Sequence, residues 1–376
     1  MGRDYLQNLQ MQHLQPSVVT GDSIEWFHRE EVRGIHCESL ERHSSQRTET
    51  RRLGKMSLNA SMCQDEQEHW KSEITLYAVV YGIILIPGFF GNSVALWVLI
   101  GNIKREKKAV IFMTNLALAD LAHVLSLPLR IFYYITHNWP FGKFMCLFCF
   151  YLKFLNMYAS ILFLVCISVQ RCVFLIHPFK YSSWRRRYDV ALSIIGWLVV
   201  ILMCLPFPIM RNTVSFNSSQ CFADLPMKQV NLASSILMLT VAELLGFVGP
   251  IAIILTCTWK TAQSLKEKST VPNNRGGSRA LKLVLMCATV FLICFAPYHI
   301  FFLLNQLRKL NLIADCSARK NIEILHSVTL CLASMNACLD PFIYYFVTAE
   351  FREQLSRTSS FLVRSRHLSR ESTTSR

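Results

Sequence analysis

The sequence predicts an all-α membrane protein, a seven-transmembrane helix bundle with a short amphipathic helix after span seven. Three observations support this prediction: an apolar composition, seven long segments almost without charge, and basic residues concentrated in alternate loops. Of the 376 residues, 52% are hydrophobic and only 17% are charged, whereas soluble domains carry about 25% charged residues. The apolar excess therefore indicates a membrane protein before any motif is considered.

Seven segments are long enough to cross a bilayer, which takes about 20 mostly apolar residues. Each contains at most one Asp, Glu, Lys or Arg. The predicted spans are 74–103, 109–129, 144–170, 191–210, 229–259, 283–307 and 324–348. The expected organisation is an extracellular, disordered N-terminal segment (1–73), a seven-helix transmembrane domain (74–347), and a cytoplasmic helix with a Ser/Thr-rich tail (348–376).

Lysine and arginine concentrate after spans one, three, five and seven. These basic residues include Lys104, Arg105, Lys180, Arg185, Lys260, Lys266, Arg352 and Arg357. Basic loops stay in the cytoplasm, so the amino terminus is expected outside the plasma membrane. The basic loop after span six weakens this contrast. The net charge of +15 thus indicates topology and contact with anionic lipid, and nucleic acid is not an expected partner.

The N-terminal region carries two further expectations. Residues 1–55 contain no apolar core of a secretory signal, and Met56 is a second plausible start. Residues 1–55 are thus expected to be either a disordered extension or a non-native upstream start. Asn59 and Asn217 stand in glycosylation sequons, and both fall on the predicted outer side of the membrane.

Polar residues and prolines inside the spans form a series with a fixed order. In chain order the series is Gly91-Asn92, Asp120, Gln170-Arg171-Cys172, Trp197, Pro250, Phe295-Ala296-Pro297 and Asp340-Pro341-Phe342-Ile343-Tyr344. Over residues 74 to about 357, this series resembles the rhodopsin-like (class A) G protein-coupled receptor family. An opsin is disfavoured because span seven has no lysine to hold retinal.

Within that family the chain is similar to the purinoceptor-like and lysophospholipid branch, and above all to the purinoceptor-like receptors that group with lysophosphatidylserine receptors. The segments that carry this resemblance are 122–130, 149–153, 221–225 and 294–299. A transporter is the alternative from another class. It should show an internal repeat or broken helices, and neither is visible in the sequence.

The resemblance implies two disulfide bonds on the outer side, Cys146–Cys221 and Cys63–Cys316. The exoplasmic side is oxidising, so such bonds are chemically permitted there. The first bond would tie the second outer loop to span three and roof the pocket.

Arg171 is expected, by resemblance, to contact the G protein once the helices open. The acidic residue and the tyrosine that usually flank this arginine are replaced by Gln170 and Cys172. Because glutamine cannot pair ionically with arginine, the resting state is expected to be less firmly held. Noticeable basal activity is the resulting hypothesis.

Asp120 is a carboxylate at mid-bilayer depth, where it needs a partner or an ion. The resemblance places Asn156, Ser160, Asn336 and Asp340 around it. Oxygen ligands of this kind suit a hard cation, so an allosteric sodium ion is one expectation. A protonated, hydrogen-bonded network is the alternative. No other metal or cofactor is expected.

A conformational switch is implied near the middle of spans six and seven. Phe295 replaces the common tryptophan one turn below the pocket, and is expected either to sense ligand through packing or to fill the core. Pro297 and Pro341 interrupt backbone hydrogen bonding and are the expected hinges. Tyr344 completes the span-seven motif.

Cations in the outer halves of the spans predict an anion-binding pocket, because arginine binds phosphate or carboxylate bidentately. Lys153 lies within a span, where an ionisable residue is functional by default. By resemblance, headgroup contacts fall on Arg130, Tyr134, Arg211 and Lys309, and the pocket also includes Phe154, Glu243, His299 and Arg308.

Three alternatives remain open for these pocket residues. Arg130 and Arg211 could instead snorkel towards the membrane interface. Arg308 and Lys309 could be plain loop charges. Glu243 could pair with a basic residue or meet a ligand ammonium.

The expected function is that of a G protein-coupled receptor for an anionic lysophospholipid such as lysophosphatidylserine. A purinergic receptor for extracellular nucleotides is the alternative, and the need for an acyl chain distinguishes the two. No catalytic constellation, phosphate-binding glycine loop or metal cluster is visible, so an enzyme is not expected. The expected partners are a heterotrimeric G protein of the twelve/thirteen class and, on the tail, receptor kinases and arrestin. Palmitoyl anchoring is not expected because no cysteine follows Cys338.

Overall fold

The computed structural model describes the backbone of residues 48–103, 110–211, 221–222, 231–267, 275–310, 312–313 and 315–347. Within these stretches, side chains are described at 73–101, 110–211, 221–222, 231, 233–267, 276–310, 312–313, 315 and 317–344. The predictions for Asn59, Asn217 and the pair Cys63–Cys316 concern side chains outside these ranges. The predicted helix and tail at 348–376 lie outside them as well.

The described residues are mostly helical. In chain order the helices are α1 (Thr48–Ile103), α2 (Ile111–Thr136), α3 (Gly142–Ile176), α4 (Pro178–Ser183), α5 (Arg186–Cys204), α6 (Pro206–Ile209), α7 (Leu232–Glu243), α8 (Gly249–Glu267), α9 (Arg275–Val290), α10 (Ala296–Lys309) and α11 (Cys316–Val347). Two π-helical segments, Leu244–Val248 and Phe291–Phe295, join α7 to α8 and α9 to α10.

Seven of the described helical stretches are long and apolar enough to cross a membrane. Spans one to seven are Glu73–Gly101, Ile111–Thr136, Gly142–Ile176, Arg186–Ile209, Ala233–Glu267, Gly276–Lys309 and Ser317–Tyr344. Each overlaps one predicted span, so the predicted seven-helix bundle is confirmed. Helix α1 begins at Thr48, so its backbone is helical over 48–73, within the segment predicted to be disordered.

Spans five and six are interrupted at corresponding places. In each, a π-helical segment is followed within two residues by a proline, Pro250 in span five and Pro297 in span six. Proline has no backbone N–H, and its ring clashes with the carbonyl of the preceding turn. A π-helical segment absorbs this mismatch by adding a residue to one turn. The two interruptions place a deformable turn in each of these spans.

The spans differ in how far the rest of the protein surrounds them. In spans two, three and six, 56% of the most apolar stretch is buried, against 22% in span four and 11% in span five. The larger hydrophobic core includes Leu116, Leu164, Phe291, Phe295 and Tyr344, which come from spans two, three, six and seven. Spans four and five therefore lie at the periphery of the bundle.

A tight link between spans two and three sets the geometry of one end of the bundle. His137 ends α2 in the left-handed region, with φ 53°, and Gly142 opens α3 with φ 77°. The Trp139 indole between them is fully buried and donates a hydrogen bond of 2.9 Å to the Gly142 carbonyl. This link brings the start of span three against the end of span two.

Candidate functional site

A disulfide bond joins Cys146, at the start of span three, to Cys221, as the resemblance implies. The backbone N–H of Cys221 donates to the Tyr133 hydroxyl at 3.2 Å. The next residue, Phe222, has φ 57° and packs its ring on Trp139 and Tyr134, with centroids 5.2 and 6.0 Å away. The end of the bundle that carries this bond is called the disulfide end below, and the opposite one the Arg171 end.

Arg130 lies beneath Phe222 and is buried, with 1% of its surface exposed. Its guanidinium carbon lies 4.5 Å from the centroid of the Phe222 ring. One terminal nitrogen donates to the Cys149 carbonyl, while the Nε atom has no hydrogen-bond partner among the described residues. A guanidinium enclosed in this way does not snorkel to the interface, so that alternative is wrong for Arg130.

Lys153 of span three shares the same aromatic surroundings. Its Nζ atom lies 5.5 Å from the centroid of the Tyr77 ring, and Tyr77 in turn stacks on Tyr134 at 5.2 Å. Arg130 lies close enough for its charge to act on Lys153. Neither cation has an ion-pair partner within the described part of the chain. The structure thus brings together three of the predicted pocket residues, Arg130, Tyr134 and Lys153.

Arg211 and Phe154 belong to a neighbouring aromatic stack. The Arg211 guanidinium lies 4.7 Å from the Phe150 ring centroid. Phe150 meets Phe154 edge-on at 5.1 Å, and Phe154 stacks in parallel on Phe207 at 4.1 Å. This stack links spans three and four at the disulfide end, and it places the Arg211 charge over an apolar surface.

The two cations at the end of span six differ in their surroundings. Arg308 pairs with Glu323 at 3.0 Å and donates to Asn305 at 3.0 Å. Its charge is therefore compensated, and the expectation that it adds a cation to the pocket is not supported. Lys309 is exposed, and its charge, like that of Lys153, acts on His326 of span seven.

Glu243 and His299 face each other across spans five and six. A carboxylate oxygen of Glu243 lies 3.4 Å from His299 Nδ1. Phe247 stacks on the His299 ring at 5.6 Å, and the Tyr158 ring lies 6.2 Å from it. Of the two alternatives for Glu243, the structure shows the pairing with a basic residue.

The five residues of the predicted cation site converge in the middle of the bundle. Asp120 Oδ1 accepts hydrogen bonds from Asn156 at 2.8 Å, Asn336 at 3.2 Å and Ser160 at 3.4 Å. Asp340 is fully buried and acts electrostatically on Asp120. The resemblance therefore predicted a cluster that the structure assembles.

Four buried oxygens of this cluster accept no hydrogen bond from the residues that the structure describes: Asp120 Oδ2, Asn336 Oδ1, and both carboxylate oxygens of Asp340. A buried carboxylate is costly unless it is protonated or balanced by a cation. No group of three or more His, Cys, Asp or Glu side chains that could hold a metal occurs among the described residues. Two carboxylates with amide and hydroxyl oxygens suit a hard cation such as sodium.

The Arg171 end contains a carboxylate that the sequence argument missed. Gln170 donates to Asp189 of span four at 3.3 Å, and the Trp184 indole donates to Asp189 at 2.9 Å. Tyr181 lies between spans three and four. Its pKa is raised, mainly by burial. The Arg171 charge acts to lower this pKa, and the Asp189 charge acts to raise it. Arg171 and Asp189 thus lie near the same hydroxyl.

Of the predicted switch residues, Phe295 and Pro297 lie at the interruption of span six, and Pro341 and Tyr344 lie near the end of span seven. Phe295 is fully buried, ends the π-helical segment of span six and meets Phe291 edge-on at 6.0 Å. Pro297 follows it within one turn. Pro341 lies inside α11, and its Cγ atom would be 2.9 Å from a Cβ atom added to Gly91. Tyr344 is fully buried beside these elements.

Several polar residues inside or beside the spans were missed by the sequence argument. They are His123, Tyr77, Tyr81, Asp189 and Glu323. His123 had a usable signal, because a histidine in the middle of a span is expected to have a function or a partner. Tyr77 and Tyr81 gave no such signal, because aromatic residues are common in membrane spans.

Comparison with known proteins agrees with this geometry. Residues 91–344 match the family described as "7 transmembrane receptor (rhodopsin family)". The chain is 54% identical over 305 residues to human "Probable G-protein coupled receptor 174", covering 80% of this chain and 92% of the relative. It is 51% identical over 326 residues to a human protein named as purinoceptor 10, covering 86% and 96%. It is 32% identical over 298 residues to human "Lysophosphatidic acid receptor 6", covering 78% and 86%.

Proposed function

Because the chain belongs to the rhodopsin family of seven-transmembrane receptors, in its purinoceptor and lysophospholipid branch, we propose that it is a G protein-coupled receptor for an anionic lysophospholipid. Lysophosphatidylserine is the first candidate. The family is one of receptors and not of enzymes. What is proposed is therefore the ligand, the partners inside the cell and the orientation of the chain.

The observation that carries the proposal is the pair of neighbouring cations inside the bundle, Arg130, which is buried, and Lys153, which is partly buried. Two like charges held close together in an apolar bundle repel each other, and each loses hydration. An anion that enters between them removes both penalties, and a guanidinium holds a phosphate or carboxylate through charge-assisted hydrogen bonds. Arg211 and Lys309 supply further positive charge at the same end. The site thus favours a headgroup with more than one negative charge.

A lipid is favoured over a soluble anion by the apolar surfaces beside the cations. The stack of Phe150, Phe154 and Phe207 extends from Arg211 towards the exposed apolar side chains of span four. An acyl chain can follow this surface from the headgroup site to the bilayer. The name of one relative, lysophosphatidic acid receptor 6, agrees with a ligand of this class.

An extracellular nucleotide is the second candidate. The same cations would grip a polyphosphate, and one relative is named as a purinoceptor. A nucleotide has no acyl chain, so it would leave the aromatic stack and the surface of span four without a role in binding. For this reason the lysophospholipid is preferred.

Signalling would follow the elements already described. Ligand at the disulfide end, proposed to be extracellular, acts through packing on Phe295 and the hinge at Pro297. Span six then swings outward and Arg171 contacts a G protein, proposed to be of the twelve/thirteen class. The tail would recruit receptor kinases and arrestin. A ligand shifts such an equilibrium only by its differential affinity for the two states.

We predict that Arg130→Ala lowers the potency of lysophosphatidylserine by at least a hundredfold. The full chain is expressed in cells without related receptors, together with G protein dissociation sensors of each class. These cells receive lysophosphatidylserine, its deacylated form and nucleotides. A response to the acylated lipid that Arg130→Ala reduces at least a hundredfold at equal surface expression is the expected result, since a buried, charge-assisted contact is worth about 3 kcal/mol.

Arg187→Ala is the matched control. Arg187 is an arginine at the Arg171 end, packed on Tyr188 at 5.3 Å, and its loss should leave potency unchanged. A response to nucleotides alone would move the chain to the purinergic alternative. A response to the lipid that survives Arg130→Ala would show that Arg130 and Lys153 do not form the headgroup site.

A further inference from the structure

We propose that His123, with Lys153 and Arg130, forms an inner subsite that binds the carboxylate of the ligand's headgroup. This inference rests on the proposed function and deepens it, because it assigns one anionic group of the ligand to one place. The phosphate is then left to the outer cations, Arg211 and Lys309.

His123 is the central residue of this subsite. It lies in the middle of span two with 1% of its surface exposed, and neither of its ring nitrogens has a hydrogen-bond partner in the described structure. A buried polar group left unpaired costs about 1–3 kcal/mol. Two unpaired nitrogens on one buried ring therefore indicate a site that a ligand group or water completes.

Helix geometry places His123 and Lys153 at the same depth. Asp120 of span two and Asn156 of span three are joined by a hydrogen bond of 2.8 Å, which fixes the register of these spans. His123 follows Asp120 by three residues and Lys153 precedes Asn156 by three. Each therefore lies about one turn from that hydrogen bond, towards the disulfide end.

The neighbouring charges select an anion. Among the described residues, the charges that act on His123 are those of Arg130 and Lys153, and both are positive. An ammonium group would be repelled here, whereas a carboxylate can accept hydrogen bonds from the imidazole, the lysine and the Nε atom of Arg130. Arg130 lies two turns beyond His123 on the same face of span two, between the subsite and the disulfide end.

The walls of the subsite limit its size. Tyr81 is fully buried and lies near Arg130 and Ser334. A small internal cavity at this depth is lined by Lys153, Asn156 and Ser334, together with apolar side chains of spans three and seven. This cavity has room for about one water molecule, so a carboxylate can enter only if the side chains around it move apart.

The test compares two ligands that differ only in the carboxylate. Lysophosphatidylserine and lysophosphatidylethanolamine with the same acyl chain share the phosphate and the ammonium. In the unsubstituted receptor the serine lipid should be the more potent. His123→Leu should reduce that potency ratio about tenfold, as expected for one hydrogen bond to a charged group, and leave lysophosphatidylethanolamine potency within about twofold. A purely structural role for His123 would lower both potencies together.

Two further variants keep the result interpretable. Lys153→Met, on the other side of the subsite, should reduce the same potency ratio. It replaces His123→Leu in the test if that variant does not reach the cell surface. His123→Gln, which keeps a side-chain donor, should retain most of the ratio. A ratio unchanged in His123→Leu and Lys153→Met overturns the subsite while the proposed function stands. An unsubstituted receptor that ignores both lipids overturns the proposed function and the subsite with it.

Discussion

Asp189 provides a carboxylate at the Arg171 end of the bundle, where the usual acidic neighbour of Arg171 is absent. The acidic residue expected beside Arg171 is Gln170, and the structure connects this glutamine to Asp189 of span four at 3.3 Å. Asp189 is itself 1% exposed and held by the Trp184 indole. At the Arg171 end, spans three and four are thus tied by a hydrogen-bonded carboxylate in place of an ion pair within span three.

We predict that Asp189→Asn raises ligand-free signalling about two- to fivefold at equal surface expression. The carboxylate accepts hydrogen bonds from Gln170 and Trp184, each worth about 1 kcal/mol, and an amide retains them only in part. The readout is basal G protein dissociation per receptor at the surface.

The control for this experiment is Ser193→Ala. The Ser193 hydroxyl donates to the backbone carbonyl of Asp189 at 2.8 Å, so its removal leaves the carboxylate in place. Basal signalling in Asp189→Asn no higher than in this control would show that Asp189 does not restrain the resting state.

At the residue scale, prediction succeeded where a family motif existed. Asp120, Asn156 and Asn336 were expected together, and the structure joins them by hydrogen bonds. His123 and Asp189 belong to no motif in the series. Their positions become informative only when the neighbours on other spans are known, because an unpaired nitrogen or a shared carboxylate is a property of the packed bundle.

At the scale of elements, the paired interruptions of spans five and six are the main feature. Gly246 lies in the π-helical segment of span five, against span six. A Cβ atom at this position would lie 2.7 Å from His299 Cε1 and 2.7 Å from Tyr158 Cε1. The absence of a side chain is thus what lets these two spans approach beside the Glu243–His299 pair.

We predict that Gly246→Ala lowers the thermal stability of the purified receptor and reduces agonist potency about tenfold. The added methyl group forces His299 or Tyr158 to move, and overpacking of this kind costs about 1–3 kcal/mol. Unfolding temperature and concentration–response curves are the two measurements.

Gly82→Ala provides the comparison. Nothing lies within 4 Å of a Cβ atom added at Gly82, and this glycine is also in the middle of a membrane helix. If Gly82→Ala lowers stability as much as Gly246→Ala does, the close approach of spans five and six does not explain the loss, because Ala itself favours a helix more than Gly does.

Prediction of the elements was accurate for the number and order of spans. Length and low charge suffice for that, because a bilayer requires about 20 apolar residues. The π-helical segments could not be predicted. Leu244–Val248 and Phe291–Phe295 are apolar runs that read as uninterrupted helix, and only the prolines after them hinted at a local change.

At the scale of the whole molecule, the proposed ligand site and the proposed cation site are adjacent. Lys153 and Asn156 lie about one turn apart on span three, and one small cavity is lined by both. An anion at Lys153 and a cation beside Asp120 would therefore sense the same side chains. If the cation favours the resting state and the agonist the active one, each must weaken the binding of the other by the same factor.

We predict that replacing sodium with a large organic cation raises agonist affinity about fivefold, a factor at the low end of measured couplings between sites. Asp340→Asn should abolish this sensitivity, because it removes one of the two carboxylates of the cluster. Radioligand binding in membranes at constant ionic strength is the measurement.

Asp315→Asn is the matched control for the sodium experiment. Asp315 is an exposed acid at the disulfide end that accepts from the Ala318 N–H at 2.8 Å. This variant should respond to sodium like the unsubstituted receptor. Affinity that ignores sodium in the unsubstituted receptor would favour the protonated network around Asp120.

The adjacency of the two sites could not have been predicted from spacing along the chain. Arg130, Lys153 and His326 come from three different spans, and the sequence orders spans without stating which faces meet. The resemblance supplied some of these contacts for Arg130 and Tyr134. It supplied none for the aromatic rings of Tyr77, Tyr134 and Phe222, which pack around Arg130 and Lys153.

The unequal enclosure of the spans has a practical consequence for handling the receptor. With 11% and 22% of their apolar stretches buried, spans five and four are held in place as much by the surrounding hydrocarbon as by their neighbours. Extraction into a short-chain detergent would replace that hydrocarbon with a looser, more mobile layer. These two helices should then be the first to lose their position, so a nanodisc or a long-chain detergent with added sterol is the appropriate medium for biochemical work.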